Sequence, residues 1–131
     1  MNRRRLFIPV WLVFLASGCQ DAKYPVGPSE GSFSADVQPI FSARCALPGC
    51  HIQPSPQAGM DLSPGQSYAN LINVPTVVFG MPGVRVKPGE PNSSVLYQLI
   101  SAGTMPAQGG PLPPSQIETI RIWIANGAKN D

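Results

Sequence analysis

Cys45-Ala46-Leu47-Pro48-Gly49-Cys50-His51 is the run of this chain on which its fold and chemistry turn. It holds two of the three cysteines and the single histidine. In an exported protein, Cys45 and Cys50 could close a disulfide with His51 as a bystander. A structural zinc site needs about four ligands, and two Cys with one His fall short. A blue-copper centre asks for two histidines, so it fails as well. A thiolate-rich Cu(I) site built from Cys45, Cys50 and a methionine stays open.

A second cysteine followed at once by histidine is also the arrangement of covalent haem attachment, whose common form is C-x-x-C-H. Two thiols add across the vinyl groups on one porphyrin edge, and the next residue brings its imidazole under the iron as proximal ligand. Here the spacer has four residues instead of two, while the Cys50-His51 adjacency is intact. Pro48-Gly49 is turn chemistry suited to looping out the extra residues.

Outward from this run the pattern is helical. Phe33, Val37, Ile40 and Phe41 fall on one helix face leading into Cys45, with Ser34 or Asp36 as the cap and Pro39 in the first turn. Pro54, Pro56, Gly59, Pro64 and Gly65 mark a loop, and a short helix fits Ser67 to Ile72. Val77 to Lys87 reads as extended. Ser93 or Ser94 can cap a helix through Leu96, Leu99 and Ile100, closed by Gly103. In the last element Ser115 and Glu118 spell a capping box, Ile117, Ile120 and Ile124 line one face beside Trp123, and Asn126-Gly127 ends it. These elements predict a small, loop-rich, all-α fold. Helices this short are marginal alone, so a buried prosthetic group or a disulfide must supplement the core.

The N-terminus reads as an export signal. Arg3, Arg4 and Arg5 precede the uncharged run from Leu6 to Ala16. Eleven residues rise only about 16 Å as a helix, against a bilayer core of roughly 30 Å. Leu15-Ala16-Ser17-Gly18-Cys19 resembles the bacterial lipobox, which implies cleavage before Cys19 and lipid on its sulfur. Residues 1–18 are then a lipoprotein signal peptide, 19–32 a flexible tether, and 33–131 one domain. The chain carries 9 basic and 7 acidic residues; without residues 1–18 the remaining 113 hold 6 basic and 7 acidic groups. Such a near-neutral chain has no basic footprint for nucleic acid.

Val37-Gln38-Pro39-Ile40-Phe41 through Cys45, Cys50 and His51 resembles the haem-binding start of small bacterial class I c-type cytochromes. Val86 to Pro91, Ser94-Val95-Leu96-Tyr97, Met105-Pro106 and Gln116-Ile117 to Trp123-Ile124 are similar to the same group, which includes the planctomycete-type cytochrome c domains. The resemblance covers roughly residues 33 to 128. It implies the cytochrome c fold, with N- and C-terminal helices crossing beside a single haem c.

His51 is the only histidine, so bis-histidine ligation within the chain is excluded. Met60, Met81 and Met105 survive processing, and each could equally be a core gap-filler. Met60 is only nine residues from His51, whereas Met81 and Met105 precede proline and are biased to extended loops. The resemblance places the distal Met before the C-terminal helix, which favours Met105 over Met81, and over Met60 or an open sixth position. Trp123, Phe41 and Leu62 are expected as haem walls or ordinary core, and Arg85 and Lys87 as partners for propionates or solvated charges.

The expectation is a lipid-anchored, monohaem, one-electron carrier on the periplasmic side of a bacterial membrane, not an enzyme. Its partners would be periplasmic or membrane redox proteins. Two alternatives are a haem-based small-ligand sensor or accessory subunit, and a haem-free lipoprotein with a Cys45–Cys50 disulfide.

Overall fold

Pro39 shapes the first element. The computed structural model describes residues 31–131; the signal segment, Cys19 and the tether up to residue 30 lie outside the described residues. Phe33–Val37 forms a π-helical turn that runs directly into helix α1, Gln38–Arg44. An α-helical turn there would bring the Ala35 carbonyl against the Pro39 ring, and the wider turn relieves that clash. The cap is Ser32, not Ser34 or Asp36: its Oγ accepts from the Ala35 N–H at 3.3 Å. Asp36 serves from the other side, its carboxylate accepting from the Ser32 N–H at 3.0 Å. Phe33, Val37, Ile40 and Phe41 are all buried, as their spacing requires.

After a long loop, helix α2 spans Ser67–Leu71. Strands β1 (Pro75–Val78) and β2 (Met81–Val84) then pair antiparallel, with Pro75 opposite Val84 and Val78 opposite Met81. The expected all-α architecture, a helices-only cytochrome c fold, is corrected here: the chain is a small mixed fold with a two-stranded sheet. The β-branched residues Val74, Thr76, Val77, Val78 and Val84 favour extended backbone. Phe79 and Gly80, at φ +51° and +80°, supply the two left-handed positions of a tight hairpin turn. Single bridges join Ile72 to Val86 and Val84 to Ser94, which fastens the hairpin to the rest of the domain.

Helix α3 is Val95–Ser101, and Gly103 closes it at φ +69°. Ser94 stands at its N-cap, but the hydroxyl works backwards. It accepts from the Lys87 N–H at 2.9 Å and donates to the Glu90 carbonyl at 2.9 Å. Helix α4 is Pro114–Ala125. Its start is set by Pro113 and Pro114, and no Ser115–Glu118 capping box forms. Glu118 instead pairs with Arg121 at 2.7 Å. Ile120, Trp123 and Ile124 are buried, with Ile117 packed at the margin.

The two ends of the domain meet over Trp123. The Phe33 ring centroid lies 5.2 Å from that of Trp123 and 5.3 Å from that of Tyr68. Asp131 accepts from the Phe33 N–H through its carboxylate at 2.8 Å and from the Ser34 N–H through its carbonyl at 2.9 Å. Gly31 is buried at φ +76°, where a Cβ would come within 2.7 Å of the Trp123 amide nitrogen. Only glycine fits there.

Candidate functional site

Cys45 follows α1 directly, its N–H donating to the Phe41 carbonyl at 2.8 Å. The next residues leave the helix and return. Leu47-Pro48-Gly49-Cys50 is a tight turn, with the Cys50 N–H donating to the Leu47 carbonyl at 2.8 Å and Gly49 at φ +79°. Pro at the second position and a left-handed Gly at the third are what such a turn demands. The His51 N–H then donates to the Cys45 carbonyl at 3.1 Å. The long spacer is therefore folded out as a turn, and its ends are closed on each other. Cys45 and Cys50 are both half-buried free thiols.

The loop after His51 builds its orienting partner. Gln57–Gly59 is a single 3-10 turn, tied back by the Gln57 N–H donating to the Cys50 carbonyl at 2.7 Å. The Gln57 carbonyl lies 3.1 Å from His51 Nδ1. A carbonyl can only accept, so Nδ1 carries the proton and Nε2 keeps its lone pair. Burial lowers the His51 pKa below the usual imidazole value, the Arg85 charge adds to this, and the carbonyls of Gln57 and Met60 oppose it. The side chain is thus a neutral imidazole with Nε2 available as a donor. Iron-ligating histidines have this arrangement, the second nitrogen held by a backbone carbonyl.

Burial also acts on Cys45, whose thiol pKa is pushed up to about 11; Arg44 lowers it and Cys50 raises it further. Arg44 has another task. Its guanidinium donates to the Gly110 carbonyl at 3.0 Å and the Gly109 carbonyl at 3.2 Å, which ties the loop after Met105 to the end of α1. Cys45, Met60 and Met105 all pack, partly buried, against the apolar core. Met105 is held from α3 by its N–H donating to the Leu99 carbonyl at 3.2 Å. Met81 opens β2 opposite Val78.

The donor set fits a covalently held haem: two unjoined thiols, a neutral imidazole oriented through Nδ1, and thioether sulfurs at the core margin. Among the described residues, no group of three or more His, Cys, Asp or Glu side chains is arranged to hold a metal ion. Cys45, Cys50 and His51 thus do not converge as a zinc ligand cluster. Among the described residues Gln116 Oε1 is a buried side-chain acceptor without a partner, a group that a bound molecule could satisfy.

The remaining expectations divide. Trp123, Phe41 and Leu62 are fully buried core residues, and Trp123 Nε1 donates to the Lys129 carbonyl at 2.9 Å. Lys87 is paired with Glu90 at 2.8 Å. Arg85 is spent on two backbone carbonyls, those of Asn70 and Ala58. Gln57 and Arg44 carry no signal in the sequence, because each acts on or through backbone carbonyls far from its own motif. A cavity of about 430 Å³ is lined by Gly31, Trp123, Asn126, Lys129 and Asp131, and not by Cys45, Cys50, His51 or Met105. Comparison of the chain with protein-family models, curated proteins and solved structures found no match.

Proposed function

We propose that this chain is an exported, lipid-anchored carrier of single electrons that holds one haem c. Cys45 and Cys50 would hold the group through thioethers, His51 Nε2 would be the proximal ligand, and Met105 the distal one. Cys19 would carry the lipid, and the partners would be redox proteins at the periplasmic face of a membrane. The observation that carries this reading is the bond from His51 Nδ1 to the Gln57 carbonyl, 3.1 Å long, directly after two unjoined cysteines.

Bound there, a haem supplies a one-electron iron couple. The chain's own residues do the rest. The turn at Leu47–Cys50 sets the backbone spacing of Cys45 and Cys50, and the closure from His51 N–H to Cys45 carbonyl ties the His51 backbone to Cys45. Gln57 holds the Nδ1 proton, which would leave the Nε2 lone pair free to ligate the iron. Met60, Met105, Leu96 and Ile117 are partly buried and pack against the apolar core. Leu47, 40% exposed, lies in the spacer turn, and a near-neutral surface suits weak apolar docking over electrostatic steering.

The reading is tested by redox titration of the chain exported from a host with haem c maturation machinery. A single reversible transition of one electron per chain, in a protein whose reduced form is slow to bind CO, is expected. Rapid CO binding by the reduced wild type would turn the reading towards a small-ligand sensor.

A further inference from the structure

The sequence reading offers Arg85 to a propionate, and the structure engages it elsewhere. Its Nη1 donates to the Asn70 carbonyl at 2.8 Å and its Nη2 to the Ala58 carbonyl at 2.6 Å. The backbone of Arg85 is itself fixed on both sides. Its N–H donates to the Val74 carbonyl at 2.9 Å, and its carbonyl accepts from the Leu96 N–H at 3.0 Å. The guanidinium therefore spans from a rigid point after the hairpin, across the end of α2, to the 3-10 turn at Gln57–Gly59.

That turn needs holding. Ala58 is left-handed at φ +56°, a conformation that costs any residue with a Cβ. A charge-assisted bond onto the Ala58 carbonyl offsets this cost. The preceding carbonyl, that of Gln57, accepts from both His51 Nδ1 and the Met60 N–H at 3.1 Å. We propose that Arg85 is a positioning residue for His51, holding the Gln57–Gly59 turn so that the Gln57 carbonyl stays aimed at Nδ1. This rests on the haem reading above for its functional consequence. The planar guanidinium reaches two carbonyls at once, and lysine, a single point donor, cannot reproduce that fork.

The test uses the full chain carrying its haem, with Arg85→Met, Arg85→Lys and, as control, Lys87→Met. Hydrogen exchange of the His51 Nδ1 proton and the Met60 amide is followed by NMR in the reduced protein, together with the reduction potential. Arg85→Met is expected to speed both exchange rates about tenfold, the effect of losing roughly one hydrogen bond from a charged group. Arg85→Lys keeps the charge and loses the fork. Its exchange quickens and its potential rises, because a less firmly held Nδ1 proton makes His51 a poorer donor to the oxidised iron. Lys87→Met moves neither quantity. Wild-type exchange rates and potential in both Arg85 variants, with only a lower melting temperature, would overturn the proposal. If Arg85→Met does not fold, the Arg85→Lys comparison decides alone. A wild-type chain that carries no covalent haem overturns the haem reading itself, a failure seen by mass before any exchange is measured.

Discussion

The N–H of His51 donates to the carbonyl of Cys45 at 3.1 Å, across a loop whose middle is the Leu47–Cys50 turn. This closure makes a spacer of four residues end in the same adjacency as a shorter one. Gly49, at φ +79° with no atom near its missing Cβ, is the conformational hinge of that turn. Gly49→Ala should cost about 1–2 kcal/mol from the left-handed backbone alone. It should lower haem incorporation per chain, measured as the ratio of haem to protein absorbance. Unchanged incorporation would mean that the turn has no part in attachment.

Cys45 should react slowly in the haem-free chain. With its thiol pKa pushed up to about 11, only about a thousandth is thiolate at pH 8. Alkylation by iodoacetamide should quicken about tenfold per pH unit up to that value. Stability moves oppositely. Below about 9 Cys45 is a thiol folded or unfolded, whereas between about 9 and 11 only the unfolded chain ionises. Stability should therefore fall as pH rises through this window, by about 2–3 kcal/mol, read from urea melts.

Gly31→Ala should destabilise the domain by at least about 2 kcal/mol. The new methyl meets the Trp123 backbone at 2.7 Å, and φ is +76°. Thermal melting would drop by roughly 8 °C or more on this scale. A drop of less than about 2 °C would show that the Gly31–Trp123 contact does not form part of the folded domain.

Met105→Ala should open the sixth position. Its reduced form should bind CO within mixing time and its potential should fall, since Met ligation raises it. Met60→Ala, at a thioether also partly buried against the core, should keep the wild-type CO response. The reverse pattern would move the distal role to Met60.

Part of this was legible in the residues alone. Phe33, Val37, Ile40 and Phe41 recur at helical spacing and are buried, and Pro48-Gly49 forms the turn its chemistry demands. The extended backbone over 77–87 was legible as well, but its pairing as a hairpin was not. The residues of β1 alternate only between exposed and half-buried, Val77 is 69% exposed, and the turn places Phe79 where Asn or Gly is usual. An apolar strand face was therefore missing as a signal. The capping box at Ser115 and Glu118 failed because Pro113-Pro114 fixes the helix start, leaving Glu118 to Arg121. The holding of His51 was hidden for another reason. Gln57 contributes its backbone carbonyl, a group every residue has, and Arg85 reaches that turn from 27 residues away.

Covalent attachment at Cys45 and Cys50 is tested most directly by intact mass under denaturing conditions, on chain exported with the haem c maturation machinery. The expected result is one haem added per chain, retained through denaturation, whereas the Cys45→Ser, Cys50→Ser double variant should retain none. A colourless chain, two hydrogen atoms lighter than its reduced form, would contradict it and leave Cys45 and Cys50 as a disulfide.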